Sequence, residues 1–276
     1  MRDASPLRYP GGKWRIAPFF ENLIQLNGLV GRRYVEPYAG GSSLALSLLI
    51  RGLVSDIHLN DLDPAVHAFW SAVLRRNQAF CELIRTARVT PGEWSRQKRI
   101  YARGRSAGTL ALGFAMFFLN RTNHSGILNG GMIGGKKQAG EWKLGARFNK
   151  LELIRRVQRI GQLRRRIVLT RMDGLRLVHE IRSMRNCLVY LDPPYYQSGA
   201  HLYLNSYEPD DHSKLRDAVS LLKAPWVVSY DDVPETRRLY RTVRARKFEL
   251  LHTARSLKKG REVLFFSSDI RIPPRG

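Results

Sequence analysis

Apolar positions along this chain fall into two kinds of run. Tyr34-Val35, Ile57-His58-Leu59, Ile167-Val168-Leu169, Cys187-Leu188-Val189-Tyr190-Leu191, Trp226-Val227-Val228-Ser229 and Val263-Leu264-Phe265-Phe266 are short and almost unbroken. Runs of that length and apolarity suit strands buried on both faces of a mostly parallel sheet. Between them the spacing turns helical, from about Ile16, over 42–50, from Leu175 and around Leu215. This βαβ alternation breaks off after the second strand and resumes near residue 167. The interval carries helical patterns around 79–86, 93–103 and 110–119, followed by a stretch rich in turn formers from Asn120 to Lys137. We expect an α/β fold in which 1–66 and 167–276 form the core domain. A mainly helical insertion spans 67–166, with a structured loop or hairpin near its end.

Charge sharpens the division. The chain of 276 residues holds 47 Lys and Arg against 23 Asp and Glu, a formal charge of +24. Residues 85–166 hold 19 basic side chains against 3 acidic ones, whereas 1–84 hold 9 against 7 and 167–276 hold 19 against 13. A surplus packed into the insertion matches a polyphosphate partner better than a small neutral substrate. The first residues, Met1-Arg2-Asp3-Ala4-Ser5-Pro6, lack an apolar secretory core, and no apolar run approaches the roughly 18 residues of a membrane span. A cytoplasmic protein without membrane contact is the expectation. Cys81 and Cys187 lie far apart and the seven histidines do not cluster, so we expect no metal.

Several motifs carry chemistry. Asp192-Pro193-Pro194-Tyr195 follows directly on a buried strand, and in an open α/β sheet ligands bind beyond the carboxyl ends of the strands. Two prolines fix the backbone and remove two N–H donors, leaving acceptors. A carboxylate oxygen and a carbonyl there suit an amino group with two hydrogens, and Tyr195 offers a face on which a planar base stacks. Glu36-Pro37-Tyr38-Ala39-Gly40-Gly41-Ser42 runs from a strand through a glycine turn into a helix, where such sheets admit an adenosyl cofactor, so Glu36, Pro37 and Gly40 are candidates for holding it. The run lacks the GxGxxG pattern of nicotinamide enzymes and the GK[ST] of a P-loop. Tyr9-Pro10-Gly11-Gly12-Lys13 is built to cradle an anion ahead of a helix. Asp61 closes the second strand as a ribose acceptor, with Asp63 capping the next helix. Asp173 follows another strand, either as a cofactor contact or as a helix cap.

Taken in order, the PGGK start, EPYAGGS, the acid after the second strand and DPPY resemble the Dam-type (D12 class) DNA adenine-N6 methyltransferases. Leu119-Asn120-Arg121-Thr122-Asn123, Asp211-His212 and Ser229-Tyr230-Asp231-Asp232 extend the resemblance over nearly the whole chain. It implies the Rossmann-like seven-stranded sheet of S-adenosylmethionine-dependent methyltransferases, whose last two strands, near 244–250 and 262–267, form an antiparallel hairpin. Tyr9, Lys13, Gly40, Asp61 and Asp192 would line the S-adenosylmethionine site, with Asp173 on the cofactor's adenine. Asp192, Pro193, Pro194 and Tyr195 would hold a target adenine flipped out of double-stranded DNA for direct methyl transfer by a monomer. The insertion would recognise the target, with Asn120, Arg121, Asn123, Lys136 and Lys137 as DNA contacts. It departs from the form of GATC-specific relatives, which argues against a GATC target. An RNA adenine methyltransferase and a catalytically silent DNA-binding protein of the same fold remain as alternatives.

Overall fold

The computed structural model describes residues 4–8, 13–196, 207–251 and 259–274. Among them the chain divides into two compact units, one built mainly from Asp63–Arg165 and the other mainly from Lys13–Leu62 and the residues from Arg166 onward.

The second unit is a seven-stranded sheet. Its strands are β1 (Arg33–Glu36), β2 (Ile57–Asn60), β3 (Ile167–Thr170), β4 (Cys187–Leu191), β5 (Trp226–Asp231), β6 (Arg244–Leu251) and β7 (Lys259–Phe266), in the order β3-β2-β1-β4-β5-β7-β6. The first five run parallel, and β7 inserts antiparallel between β5 and β6. This is a seven-stranded α/β sheet with the antiparallel terminal hairpin that the sequence resemblance implies. Every residue of β4 is buried, as its unbroken apolar run requires. Helices α1 (Ala17–Leu26), α2 (Ser43–Ile50), α8 (Gly174–Glu180), α9 (Pro209–Ser220) and α10 (Pro234–Leu239) belong to this unit. Val35, Val189, Val228, Val263 and Phe265 from the sheet pack with Leu177, Leu215 and Val219 from α8 and α9 in one core.

The strand order has a functional consequence. The chain leaves β1 toward β2 on one side and reaches β4 on the other, so the order reverses between β1 and β4. In open α/β sheets the crevice beyond the strand ends at such a reversal is where ligands bind.

The first unit contains α3 (Pro64–Arg75), α4 (Asn77–Thr86), α5 (Pro91–Ala102), α6 (Thr109–Thr122) and α7 (Lys150–Gln162). Asp63 caps α3 through Ala65 and Val66 N–H, with Pro64 at its first position. Phe69, Phe80, Phe114, Phe117 and Phe148 form a chain of ring contacts at 5.4 to 6.1 Å. Gly113 lets α6 approach α3, since a Cβ there would sit 2.6 Å from the Ala68 carbonyl oxygen. Helix α6 continues to Thr122, so Asn120 and Arg121 are helical, where turn-former composition predicts a loop. Beyond it the Gly/Asn-rich stretch folds into tight turns closed by one antiparallel bridge, Asn123 to Met132.

Candidate active site

The five parallel strands each end in an acid or within three residues of one. Read along the sheet, these are Asp173 after β3, Asp61 after β2, Glu36 at the end of β1, Asp192 after β4 and Asp231 at the end of β5. They form a row of carboxylates along the carboxyl edge, straddling the β1/β4 reversal.

Asn60 binds part of this edge together. Its side chain, fully buried, donates to the Pro37 and Met172 carbonyls at 2.9 Å each. It also accepts from the Thr170 hydroxyl at 2.9 Å and Met172 N–H at 3.0 Å. The turns after β1 and β3 are thereby fixed to the end of β2, a role the sequence pattern did not single out. Asp61 accepts the Gly40 N–H at 2.8 Å, pinning the glycine turn, in which Gly40 has φ +44° and Ser42 +46°. Asp173 caps α8 by accepting Arg176 N–H at 3.0 Å. Of the two roles open to it in the sequence, the cap is the one these contacts supply. Gly174 behind it is pressed against Tyr38, where a Cβ would lie 2.4 Å from the ring.

Glu36 faces inward. Only 4% exposed, it accepts from the Tyr34 hydroxyl at 3.1 Å, and burial foremost pushes its carboxyl up to about 8, with the neighbouring Asp192 charge adding to the effect. Its carboxyl is thus engaged within the fold. Pro37, also buried, contributes its carbonyl to Asn60.

Around Asp192 the contacts converge. Lys13, in a short 3-10 turn ahead of α1, is buried, with Nζ 3.0 Å from Asp192 Oδ2, 3.2 Å from Glu262 Oε1 and 3.1 Å from the Tyr195 hydroxyl. Tyr195 donates to Glu262 Oε1 at 2.5 Å. On the other side, Ser229 Oγ donates to Asp192 Oδ1 at 2.6 Å and receives the Tyr190 hydroxyl at 2.9 Å. Pro193 and Pro194 are buried and Tyr195 is half-buried. Lys13, Asp192 and Tyr195 are thus brought together, and Ser229, Tyr190 and Glu262 join them. Ser229 and Tyr190 had one readable signal: a polar group inside an apolar strand must find a partner there. Tyr9, with the rest of its glycine motif, lies outside the described residues.

S-adenosylmethionine fits this edge by its chemistry. At neutral pH it carries a sulfonium and an ammonium against one carboxylate, plus two ribose hydroxyls and an adenine amino group, so it offers mostly positive charge and donors. The strand-end acids Asp61, Asp173 and Asp192 beside a tight glycine turn supply acceptors complementary to that inventory.

In the other unit the five expected DNA contacts separate into two kinds. Asn120, 1% exposed, donates to Arg8 O at 2.7 Å and Gly126 O at 3.0 Å and accepts Arg8 N–H at 2.7 Å. Asn123, fully buried, accepts Trp94 Nε1–H at 2.6 Å and donates to Ile127 O and Leu128 O. Both amides are engaged within the fold, as clamps on the turns that follow α6. Arg121 is half-buried and donates to the Arg147 carbonyl. Lys136 and Lys137 are exposed; Lys136 borders an open recess of about 550 Å³ lined also by Trp94, His124 and Met132. Among the described residues no group of His, Cys, Asp and Glu is placed to hold a metal, and no helix is long and apolar enough to cross a membrane.

Among solved structures, one described as "a putative RNA methyltransferase PH1948 from Pyrococcus horikoshii" matches at 11% identity with a TM-score of 0.43, covering 95% of this chain and 85% of that one. Among curated proteins none matches. Residues 9–255, which span the glycine turn, the insertion and DPPY, match the family described as D12 class N6 adenine-specific DNA methyltransferase, and the chain belongs to that family.

Proposed function

We propose that this methyltransferase moves a methyl group from S-adenosylmethionine to the N6 amino group of an adenine in double-stranded DNA, taken out of the stack into a pocket formed by Asp192, Pro193, Pro194 and Tyr195. The observation that carries the reading is the convergence of Lys13, Ser229, Tyr195 and Glu262 on Asp192 at the β1/β4 reversal. Asp192 is held at both oxygens, Oδ1 by the Ser229 hydroxyl and Oδ2 by Lys13, so its orientation is set before substrate arrives.

An adenine inside a duplex lies beyond reach of a buried acid, so the base must be rotated out at a cost of a few kcal/mol. Stacking on the Tyr195 ring recovers about 1–3 kcal/mol of this. Asp192 then accepts one hydrogen of the amino group and the Pro193 carbonyl the other, which localises the nitrogen lone pair for attack. The bound cofactor supplies an electrophilic methyl carbon whose bond to sulfur breaks with the electron pair remaining on sulfur. The new N–C bond makes the nitrogen strongly acidic, and its surplus proton passes to water. Holding the reactants in line is worth about 7–11 kcal/mol in favourable cases, so positioning by Asp192 and Tyr195 outweighs acid–base assistance. Asp61 and Asp173 stand at the strand ends beside the glycine turn, and we assign their carboxylates to the cofactor's ribose and adenine respectively.

The test is to incubate the protein with cofactor and either mixed-sequence duplex DNA or RNA, then map N6-methyladenine by single-molecule sequencing. Duplex DNA is expected to carry the mark at a defined sequence. Methylation of RNA alone, or of no adenine, would refute the assignment. Asp192→Ala is expected to lower turnover by about a hundredfold or more with the fold intact; turnover near that of the parent removes Asp192 from the chemistry.

A further inference from the structure

Glu262 stands just ahead of the apolar run Val263-Leu264-Phe265-Phe266 of β7, yet it is only 2% exposed. Strand β7 runs opposite to the five parallel strands, so a residue early in it arrives at the edge where they finish, and Glu262 pairs with Asp231 at the end of β5. Reversal of one strand therefore delivers a carboxylate to the catalytic edge from a direction no parallel strand supplies. A buried carboxylate without partners costs several kcal/mol, so this one is retained for its contacts.

Those contacts are Lys13 Nζ at 3.2 Å and the Tyr195 hydroxyl at 2.5 Å. We propose that Glu262 is a positioning residue for methyl transfer: it draws Lys13 to one side and anchors the tip of Tyr195, so that Asp192 keeps acceptor capacity for the adenine amino group. The inference rests on the adenine-N6 reading above. An ammonium has three donors and no acceptor. Shared between two carboxylates, as here, it occupies Asp192 Oδ2 only in part. Without Glu262 more of its charge falls on Asp192, which weakens the basicity of the oxygen that must receive the substrate's hydrogen. Tyr195, with its hydroxyl tied to Glu262, presents its ring at a fixed angle, which matters where a flipped base must stack and a nitrogen must point at a carbon. Other titratable groups around the network include Tyr190 of β4, which interacts electrostatically with Lys13, Asp192 and Glu262, and Glu36 and Tyr34 of β1 and Tyr230 of β5, which interact with Asp192.

Glu262→Gln separates charge from shape, because its amide oxygen still receives the Tyr195 hydroxyl while the anion beside Lys13 is gone. Glu262→Asp restores the anion on a shorter arm. For each we would measure the single-turnover methylation rate, KM for S-adenosylmethionine and the thermal midpoint. The expected result for Gln is a rate lowered about ten- to a hundredfold with KM within about twofold and no fall in the midpoint, partly rescued in Asp. A Gln rate within about twofold of the parent, a loss that tracks KM or the midpoint, or an Asp variant no better than Gln would each overturn the positioning role. A parent protein that methylates no adenine would overturn the underlying reading instead.

Discussion

Glu36 shows how a single buried acid couples the catalytic edge to pH. Its carboxyl is raised from 4.5 to about 8, chiefly by burial. Below pH 4.5 the group is protonated in both folded and unfolded chains and contributes no pH dependence. Between 4.5 and about 8 the unfolded chain has released the proton and the folded one retains it, so stability falls as pH rises, by about 1.4 kcal/mol per unit at most. Above about 8 the penalty is complete. Glu36→Gln, which keeps the shape and carries no charge, is expected to lose less stability than the parent between pH 6 and 8. Urea denaturation at the two pH values measures the difference, and parallel losses in the two proteins would mean that Glu36 is ionised in the folded state.

At the scale of elements, the end of α6 and the turns after it separate holding from reading. Asn120→Ala leaves the Arg8 N–H and two carbonyls without their partner inside the fold, at about 1–3 kcal/mol for each group left unsatisfied. Its expected signature is a lower denaturation midpoint with the methylated sequence unchanged; a changed recognition sequence at unaltered stability would place Asn120 at the DNA interface. The same segment shows why some features were legible and others not. Strands β1 to β5 and β7 could be read because burial on both faces leaves bare apolar runs, and Asp63 because an acid before a proline ahead of an apolar run marks a helix start. Asn120 and Asn123 misled because turn formers signal local backbone preference, whereas packing of Leu119 and its neighbours carried the helix through to Thr122. Lys13, Asp192 and Tyr195 were legible as motifs in sequence. Glu262 was not, because its meaning depends on strand order: only the register of β7 against β5 brings it to the edge.

For the whole molecule, the distribution of charge decides what kind of affinity to expect. One unit carries a row of carboxylates at its strand ends, while the sequence of the other holds most of the surplus behind the +24 total. The acidic row suits a ligand of net positive charge, and the basic surplus suits phosphate, so cofactor and DNA binding should respond differently to salt. Each phosphate neutralised on a duplex releases condensed counterions, and the slope of log K against log salt is about −0.9 per contact. Six to ten contacts would cost about 10³- to 10⁵-fold in affinity between 50 and 200 mM salt. Lys136 and Lys137 are exposed side by side in the turn segment. Replacing both with Ala is expected to weaken binding to every duplex sequence alike and to make the slope shallower by about 2, with cofactor affinity and the denaturation midpoint unchanged. Fluorescence anisotropy on labelled duplexes across a salt series measures the slope, and calorimetry the cofactor affinity. An unaltered slope would take both lysines out of the interface and leave the remaining arginines of 85–166 to account for it. A slope that changes for one sequence only would instead mark them as readers of bases.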